Sequence, residues 1–489
     1  MQRKQLTLVI VSLLVVVLSV SLACFTTQII GKGKDVSVTS ANLQIVFTDS
    51  DGALTETDIE PGWSATKTFT IKNDTKTEYK YNIVIKDLLN TFVTEGYLQY
   101  KITSTNNGYN MTEFKDIPKS SIATDTILAY SVVIPNGVTQ SYTIEFKYAN
   151  DENVDQSDDM GKKLSGTLFI TEGTEQPTLL SQILNDNPTR ITRDTYDAVF
   201  TNNTTGTLFT ATEKNVHNIA DTTVYYYAGN TTNNWVKFAG YYWRIIRTNA
   251  DGSVRMLYSG TEAEGTTGTN GMINTSTAFN SSYNSPKYVG YMYGENDDTL
   301  ANARTNTKNS TIKDKIDTWY AQNMTSYTKY LSTTAVYCND RTEKTSGTYT
   351  TGNTTFYYAP YARVYTNYAP TYDCTEASDA FSGSNTSAKL TYPIALMTAD
   401  EIMRAGGKVE TSLTSPYAWY YLNSTNGSIT GSNLWWLLSP SDWNGSYANV
   451  FYVYGSSYPG YLYNYRVGST YGVRPAISLK SCVKTSGGD

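Results

Sequence analysis

The stretch Asn449–Pro475, NVFYVYGSSYPGYLYNYRVGSTYGVRP, decides how the second half of this 489-residue chain is read. It starts as a strand-forming run of Val, Phe and Tyr, crosses the turn residues Gly455, Ser456, Ser457, Pro459 and Gly460, and closes on an apolar run from Gly472 onward. Aromatic and β-branched runs punctuated by Gly, Pro and Ser predict short strands joined by tight turns. Tyr452, Tyr454, Tyr458, Tyr461, Tyr463, Tyr465 and Tyr471 crowd this window, a density well above that of the 42 tyrosines spread over the chain. Tyrosine offers a large, stiff, amphipathic surface, and Ser, Gly and Asn add adaptable hydrogen bonds, which is the composition of binding loops. A plainer reading is that the tyrosines line strands, for which they have high propensity. Within the window Ala448, Val450 and Val453 are expected to face inward. Asn444, Tyr447, Asn449, Phe451, Tyr454, Tyr458, Tyr461, Tyr463 and Asn464 are the expected exposed, ligand-binding residues.

Length alone predicts more than one domain. Charged residues make up 17% of the chain, with 38 Lys and Arg against 44 Asp and Glu, so no basic excess exists to hold a phosphate backbone and nucleic acid is excluded as a partner class. His217 is the sole histidine, which removes multi-histidine metal sites and leaves Ser/His or Cys/His catalysis only that one residue to use. Carboxylates such as Asp340 and Glu401 occur without a spacing that singles out an acid/base pair. No enzyme activity, metal or cofactor is therefore expected.

Arg3 and Lys4 precede an uncharged Leu/Val-rich run from Leu6 to Phe25, a membrane-targeting segment. An uncleaved anchor over residues 1–31 is the favoured reading; a signal peptide cut near Ala23 and a lipoprotein acylated at Cys24 are the alternatives. In each case the chain after about Gly31 is exported to the outer face of the membrane. An oxidising compartment suits a Cys338–Cys374 disulfide, whose long loop corresponds to a stabilisation on the order of 4 kcal/mol, and leaves Cys482 unpaired.

Between residues 35 and 172 the apolar residues alternate, as in Phe69/Ile71, Tyr81/Ile83/Ile85, Tyr142/Ile144/Phe146/Tyr148 and Leu168/Ile170, with turn signals EPGW, KNDT and IPNG between them. This predicts an all-β, immunoglobulin-like sandwich. Its acidic loop, Asp151 to Asp159, reads as solvated rather than as a calcium loop. Residues 173–182 read as a linker to an α+β domain over 183–489. That domain is expected to contain a hairpin turning at Asp251-Gly252, a helix capped by Ser310 with Trp319 in the core, and a short helix started by the Thr398/Glu401 capping box and ended by Gly406.

Trp436-Leu437-Leu438-Ser439-Pro440, the polar-aromatic window and Gly472-Val473-Arg474-Pro475-Ala476, in that order, resemble the C-type-lectin-like domains related to formylglycine-generating enzyme. The branch they are similar to is carried by bacterial surface proteins and includes variable proteins of diversity-generating retroelements. YYWRIIRTNADGS (241–253), CNDRT (338–342) and YPIALMTADEI (392–402) fit the same group of exported Gram-positive proteins. Members of that group usually continue past residues 482–484 with a glycine-rich tail, whereas this sequence stops at Asp489. The first domain resembles camelysin-like matrix modules through its anchor, strand pattern and IPNGVTQSYTIEFKY (134–148). The resemblance implies a rigid scaffold displaying a hypervariable face to a protein or glycan. It implies no oxidase chemistry, because no close cysteine pair accompanies Cys482. Arg474 is expected to be a buried structural residue. The alternative function is a structural matrix or surface-layer component that assembles by strand pairing without a specific ligand.

Overall fold

The computed structural model describes residues 36–40, 43–49, 54–56, 59–262, 270–344, 348–423 and 427–485. The expected membrane segment over residues 1–31, with Cys24, lies outside them. No helix among the described residues is long and apolar enough to cross a membrane. The protein is mostly β-sheet, 39% strand and 14% helix, in several sheets. Its chain divides into two compact units, one ending at Gln176 and the other spanning Pro177–Thr485.

The first unit contains strands β1 (Val36–Ser40), β2 (Leu43–Asp49), β3 (Leu54–Glu56), β4 (Ser64–Asn73), β5 (Tyr79–Asn90), β6 (Leu98–Ser104), β7 (Lys115–Asp116), β8 (Ser120–Ile134), β9 (Thr139–Tyr148) and β10 (Leu164–Glu172). They form two sheets, in the orders β1-β2-β4-β9-β6-β7 and β3-β10-β5-β8. Phe69, Ile71, Ile102 and Ile144 from one sheet and Tyr81, Ile83, Ile85 and Ile170 from the other share a single core. Alternation in β9 is the simplest case, since every second residue from Gln140 to Tyr148 is buried. β5 departs from it. Asn82 and Val84, on its other face, are buried too. Asn82 explains its own burial, donating to the Glu172 carbonyl (2.9 Å) and accepting from the Ser131 and Thr174 amides. The turns act as their residues predict: Gly62 and Gly137 take positive φ, and the Asn73 side chain accepts from the Thr75 amide (2.9 Å). In the acidic loop, Asp151, Asp155 and Asp159 each accept hydrogen bonds from groups of the chain itself.

The second unit begins with the helix Leu179–Asp186, capped by Thr178, so residues 179–182 are its first turn rather than linker. The Leu179 amide donates to the Val483 carbonyl (2.8 Å), joining the unit's two ends. One sheet runs through the hairpin Tyr241–Thr248/Val254–Tyr258, with Gly252 at φ +79°, then Pro475–Leu479, then Ile394–Leu396. Trp243, Ile245, Met256 and Tyr258 are buried there, as their pattern predicts. The helix Thr311–Asn323, capped by Ser310, buries Ile312, Ile316 and Tyr320, while Trp319 packs half-buried against that core. The helix Ala399–Ala405 carries both bonds of the Thr398/Glu401 capping box and ends at Gly406. A second sheet has the order Asn274–Ala278, Thr470–Val473, Trp435–Trp443, Ala448–Val453, Leu462–Arg466. It holds the tyrosine window.

Candidate functional site

Strand Trp435–Trp443 is buried along its whole length and forms the floor of this sheet. Pro440, which has no amide to donate, sits where the register with Ala448–Val453 shifts. Arg474, near the other end of the strand, is buried, its guanidinium donating to the carbonyls of Gly271 (3.1 Å) and Tyr420 (2.8 Å) and lying over the Trp435 ring. Burial, and Arg244 after it, lower the Arg474 pKa to about 9.

Ala448, Val450 and Val453 are buried, as expected, but so is every other residue of Ala448–Val453. Phe451 and Asn449, expected on the exposed face, are therefore interior. The strand lies between two others, and the Phe451 side is covered as well, Phe451 lying 6.1 Å from the Tyr365 ring. Asn449 is held by a 2.6 Å hydrogen bond from its amide to Asp442 Oδ2. Burial pushes the Asp442 carboxyl upward, while Ser441 and Asn449 pull it back. Asn444, Tyr447, Tyr454, Tyr461, Tyr463 and Asn464 are half-buried, and Tyr458 is 54% exposed. Asn444 supports its own turn, accepting from the Ser446 and Tyr447 amides.

Tyr454, Tyr458, Tyr461 and Tyr463 form a connected row. Ring centroids are 5.1 Å apart for Tyr454–Tyr458, 5.4 Å for Tyr454–Tyr461 and 5.8 Å for Tyr461–Tyr463. The register explains it: Tyr463 lies opposite Tyr452, and the Tyr454 amide donates to the Tyr461 carbonyl, so cross-strand neighbours share a face.

A second row, missed by reading the window alone, comes from Tyr357, Tyr361 and Tyr365. Their centroids are 4.1 and 4.6 Å apart. They lie inside the loop closed by the Cys338–Cys374 disulfide. Phe356–Tyr357 pairs with Asp442–Trp443, and a helical turn from Ala359 widens into a π-type turn over Ala362–Asn367. Beneath it Arg363 donates to Asp400 (2.7 and 3.0 Å) and Asp340 (2.7 Å). Burial opposes the Arg363 charge, yet these carboxylates outweigh it and raise its pKa. Asn464, opposite Phe451 in the register and on the other face from Tyr463, donates its amide to Tyr365 Oη (3.2 Å), which ties the second row to the edge strand. The four-residue spacing of Tyr357, Tyr361 and Tyr365 was the available signal, since such positions share one side of a helical turn.

The carboxylates considered for catalysis are engaged by arginines: Asp340 by Arg363, and Glu401 by Arg247 (3.0 Å) and Arg255 (2.7 Å). A cavity of about 20 Å³ among these groups has room for one water. His217 Nε2 lies 2.8 Å from Ser382 Oγ, but Ser382 is fully buried and also accepts from the Asn385 amide. No cluster of His, Cys, Asp and Glu suited to a metal ion exists among the described residues. Comparison with family models, curated proteins and solved structures finds no match to the chain.

Proposed function

We propose that this is an exported, cell-surface ligand-binding protein, an adhesin or receptor-like molecule tethered through its N-terminal segment. An immunoglobulin-like first unit carries a C-type-lectin-like second unit, whose tyrosine rows bind a protein or glycan. The observation that carries this reading is the density of half-exposed tyrosines on one sheet: Tyr454, Tyr458, Tyr461 and Tyr463 form one row, and Tyr357, Tyr361 and Tyr365 form a second, tied to the edge strand by the Asn464–Tyr365 bond. Half-exposed rings anchored on a rigid sheet can stack on sugar rings or fill hot-spot pockets of a partner, and little side-chain entropy is lost on binding. The mixture of short helices and antiparallel sheets supports the lectin-like reading of the scaffold, and two antiparallel sheets on a shared core support the sandwich.

The test is binding of the full-length protein, in mild detergent, to arrays of extracellular glycans and proteins, with and without Tyr454, Tyr461 and Tyr463 changed to Ala. Loss of a captured ligand in the triple variant supports the reading; unchanged capture removes this face from the function. The matrix alternative draws on a separate observation. β8 is the outer strand of its sheet, and Ser121–Asp125 are exposed, with Ile122 at 74%. Fibres that form in the wild type, and disappear when Ile122 is changed to Lys, would favour it.

A further inference from the structure

The described arginines are engaged by the protein itself, with one exception. Each of the others donates a hydrogen bond to a carbonyl or a side chain, or pairs with a carboxylate. The Arg466 guanidinium has neither kind of partner among the described residues. Its Nε is shielded from solvent and has no hydrogen-bond acceptor. A charged donor taken from water without an acceptor costs free energy, which an incoming anion would relieve. Aromatic rings hold the group in place instead. Arg466 Cζ lies 4.7 Å from the Tyr283 ring and 5.8 Å from the Tyr447 ring.

The surrounding backbone builds this arrangement. The Ala448 amide donates to the Tyr283 carbonyl (2.9 Å) and the Val467 amide to the Ala448 carbonyl (3.0 Å), so the segment carrying Tyr283 lies against the turn that follows Arg466. Gly468 leaves room for the ring, because a Cβ there would come within 2.7 Å of Tyr283 Cδ1. In the register Arg466 lies opposite Asn449, on the face of the sheet that carries Phe451 and Asn464 and away from Tyr463. The carboxylate closest in that register is Asp442, opposite Asn449, and it accepts from Asn449 and Ser441. No Asp or Glu occurs between Trp443 and Leu479. Positive charge is therefore left over at this edge of the sheet, fixed in direction and half-exposed.

We propose that Arg466, held between Tyr283 and Tyr447, binds the carboxylate of an acidic sugar. A guanidinium presents a planar fork that matches a carboxylate through two parallel hydrogen bonds. Tyr283 is 40% exposed and offers ring surface on which the apolar side of a pyranose can pack. Ser282 and Ser446, next to the two tyrosines in sequence, are exposed and supply hydroxyls for a polyhydroxylated ligand, which favours a sugar over an acidic peptide. This goes beyond the reading of the tyrosine rows, since the site lies on the opposite face of the sheet from Tyr463.

The probes are trigalacturonate, a hyaluronan tetrasaccharide and sialyllactose, each compared with its methyl ester, in calorimetric titration of the full-length protein in mild detergent. At least one acid should bind, with its neutral ester weaker by about tenfold or more. Arg466→Gln should weaken that acid by a similar factor while circular dichroism stays unchanged. Arg466→Lys, which keeps the charge without the fork, should fall between the two. Tyr283→Phe should retain binding, and Tyr283→Ala should weaken it. The proposal is overturned if no acid binds more tightly than its ester, or if Arg466→Gln binds as the wild type does. Poly-L-glutamate bound in an Arg466-dependent way, with none of the sugars bound, would overturn it in favour of an acidic protein. The two functional readings fail separately. The Tyr454/Tyr461/Tyr463 variant should keep the acidic sugar; if that variant loses the sugar and Arg466→Gln keeps it, the first row is the binding face and only the present inference falls.

Discussion

Two strands of similar composition, β9 in the first unit and Ala448–Val453 in the second, are read alike from sequence and behave differently. In β9 alternate residues face one core, and Ser141 between them is exposed. In Ala448–Val453 every residue is interior, including Asn449 and Phe451. Alternation reports exposure only when one face of a sheet meets solvent. Where both faces are covered, as here by the disulfide loop on the Phe451 side, polar residues must be accommodated inside by partners. The second unit consequently carries hydrogen bonds and ion pairs in its interior, and these define how the contrast can be tested.

The largest effect should come from the interior charges. Glu401 is 1% exposed and paired with Arg247 and Arg255, so Glu401→Ala leaves buried Arg255 without a carboxylate and Arg247 with Glu213 alone, and should cost about 3–5 kcal/mol in denaturant unfolding. Burial opposes its ionisation, but the arginines prevail and hold its pKa below the ordinary 4.5. The resulting stability is fully present above pH 4.5 and should be lost as pH falls below it. A midpoint that does not fall with acid, or falls equally in the variant, would contradict this.

Phe451→Ala comes next. A buried phenylalanine lost from a central strand should cost about 3–4 kcal/mol. A cost below about 1 kcal/mol, typical of surface sites, would return Phe451 to the exposed face and break the comparison. Asn449→Ala removes the donor to buried Asp442 and should cost about 1–3 kcal/mol, whereas Ser141→Ala in β9 should stay within about 0.5 kcal/mol. Equal values for the pair would mean that the two strands are covered alike. Tyr458→Ala should be smallest, within about 0.5 kcal/mol by thermal unfolding, since its ring is 54% exposed, while ligand capture falls.

The contrast also bears on the proposed variability of the tyrosine window. Codon sequencing of residues 442–471 in a culture grown from one cell should find any substitutions at half-buried or exposed positions such as Tyr447, Tyr454, Tyr458, Tyr461 and Tyr463, and none at Val450, Phe451 or Val453. Variation at Phe451 would be incompatible with its packing.

Much of the architecture was legible along the chain because it depends on neighbours in sequence. The period of β9, the positive-φ turns at Gly137 and Gly252, the Ser310 cap and the Thr398/Glu401 box each follow from residues a few positions apart. The Cys338–Cys374 pair followed from composition and compartment. What reading along the chain missed depends on contacts between distant segments. Phe451 and Asn449 changed sides because strands on both flanks and Tyr365 enclose them. Tyr357, Tyr361 and Tyr365 joined the candidate site only when a disulfide loop folded onto a strand about 80–100 residues away in sequence, as the Phe356↔Trp443 register and the Asn464–Tyr365 bond record. Periodicity and turn chemistry therefore determined which segments became strands and helices, since those preferences act through local sterics and hydrogen bonds. Which faces were covered, and which tyrosines came to pack together, was decided by tertiary packing, because burial is a property of the assembled surface rather than of any one strand.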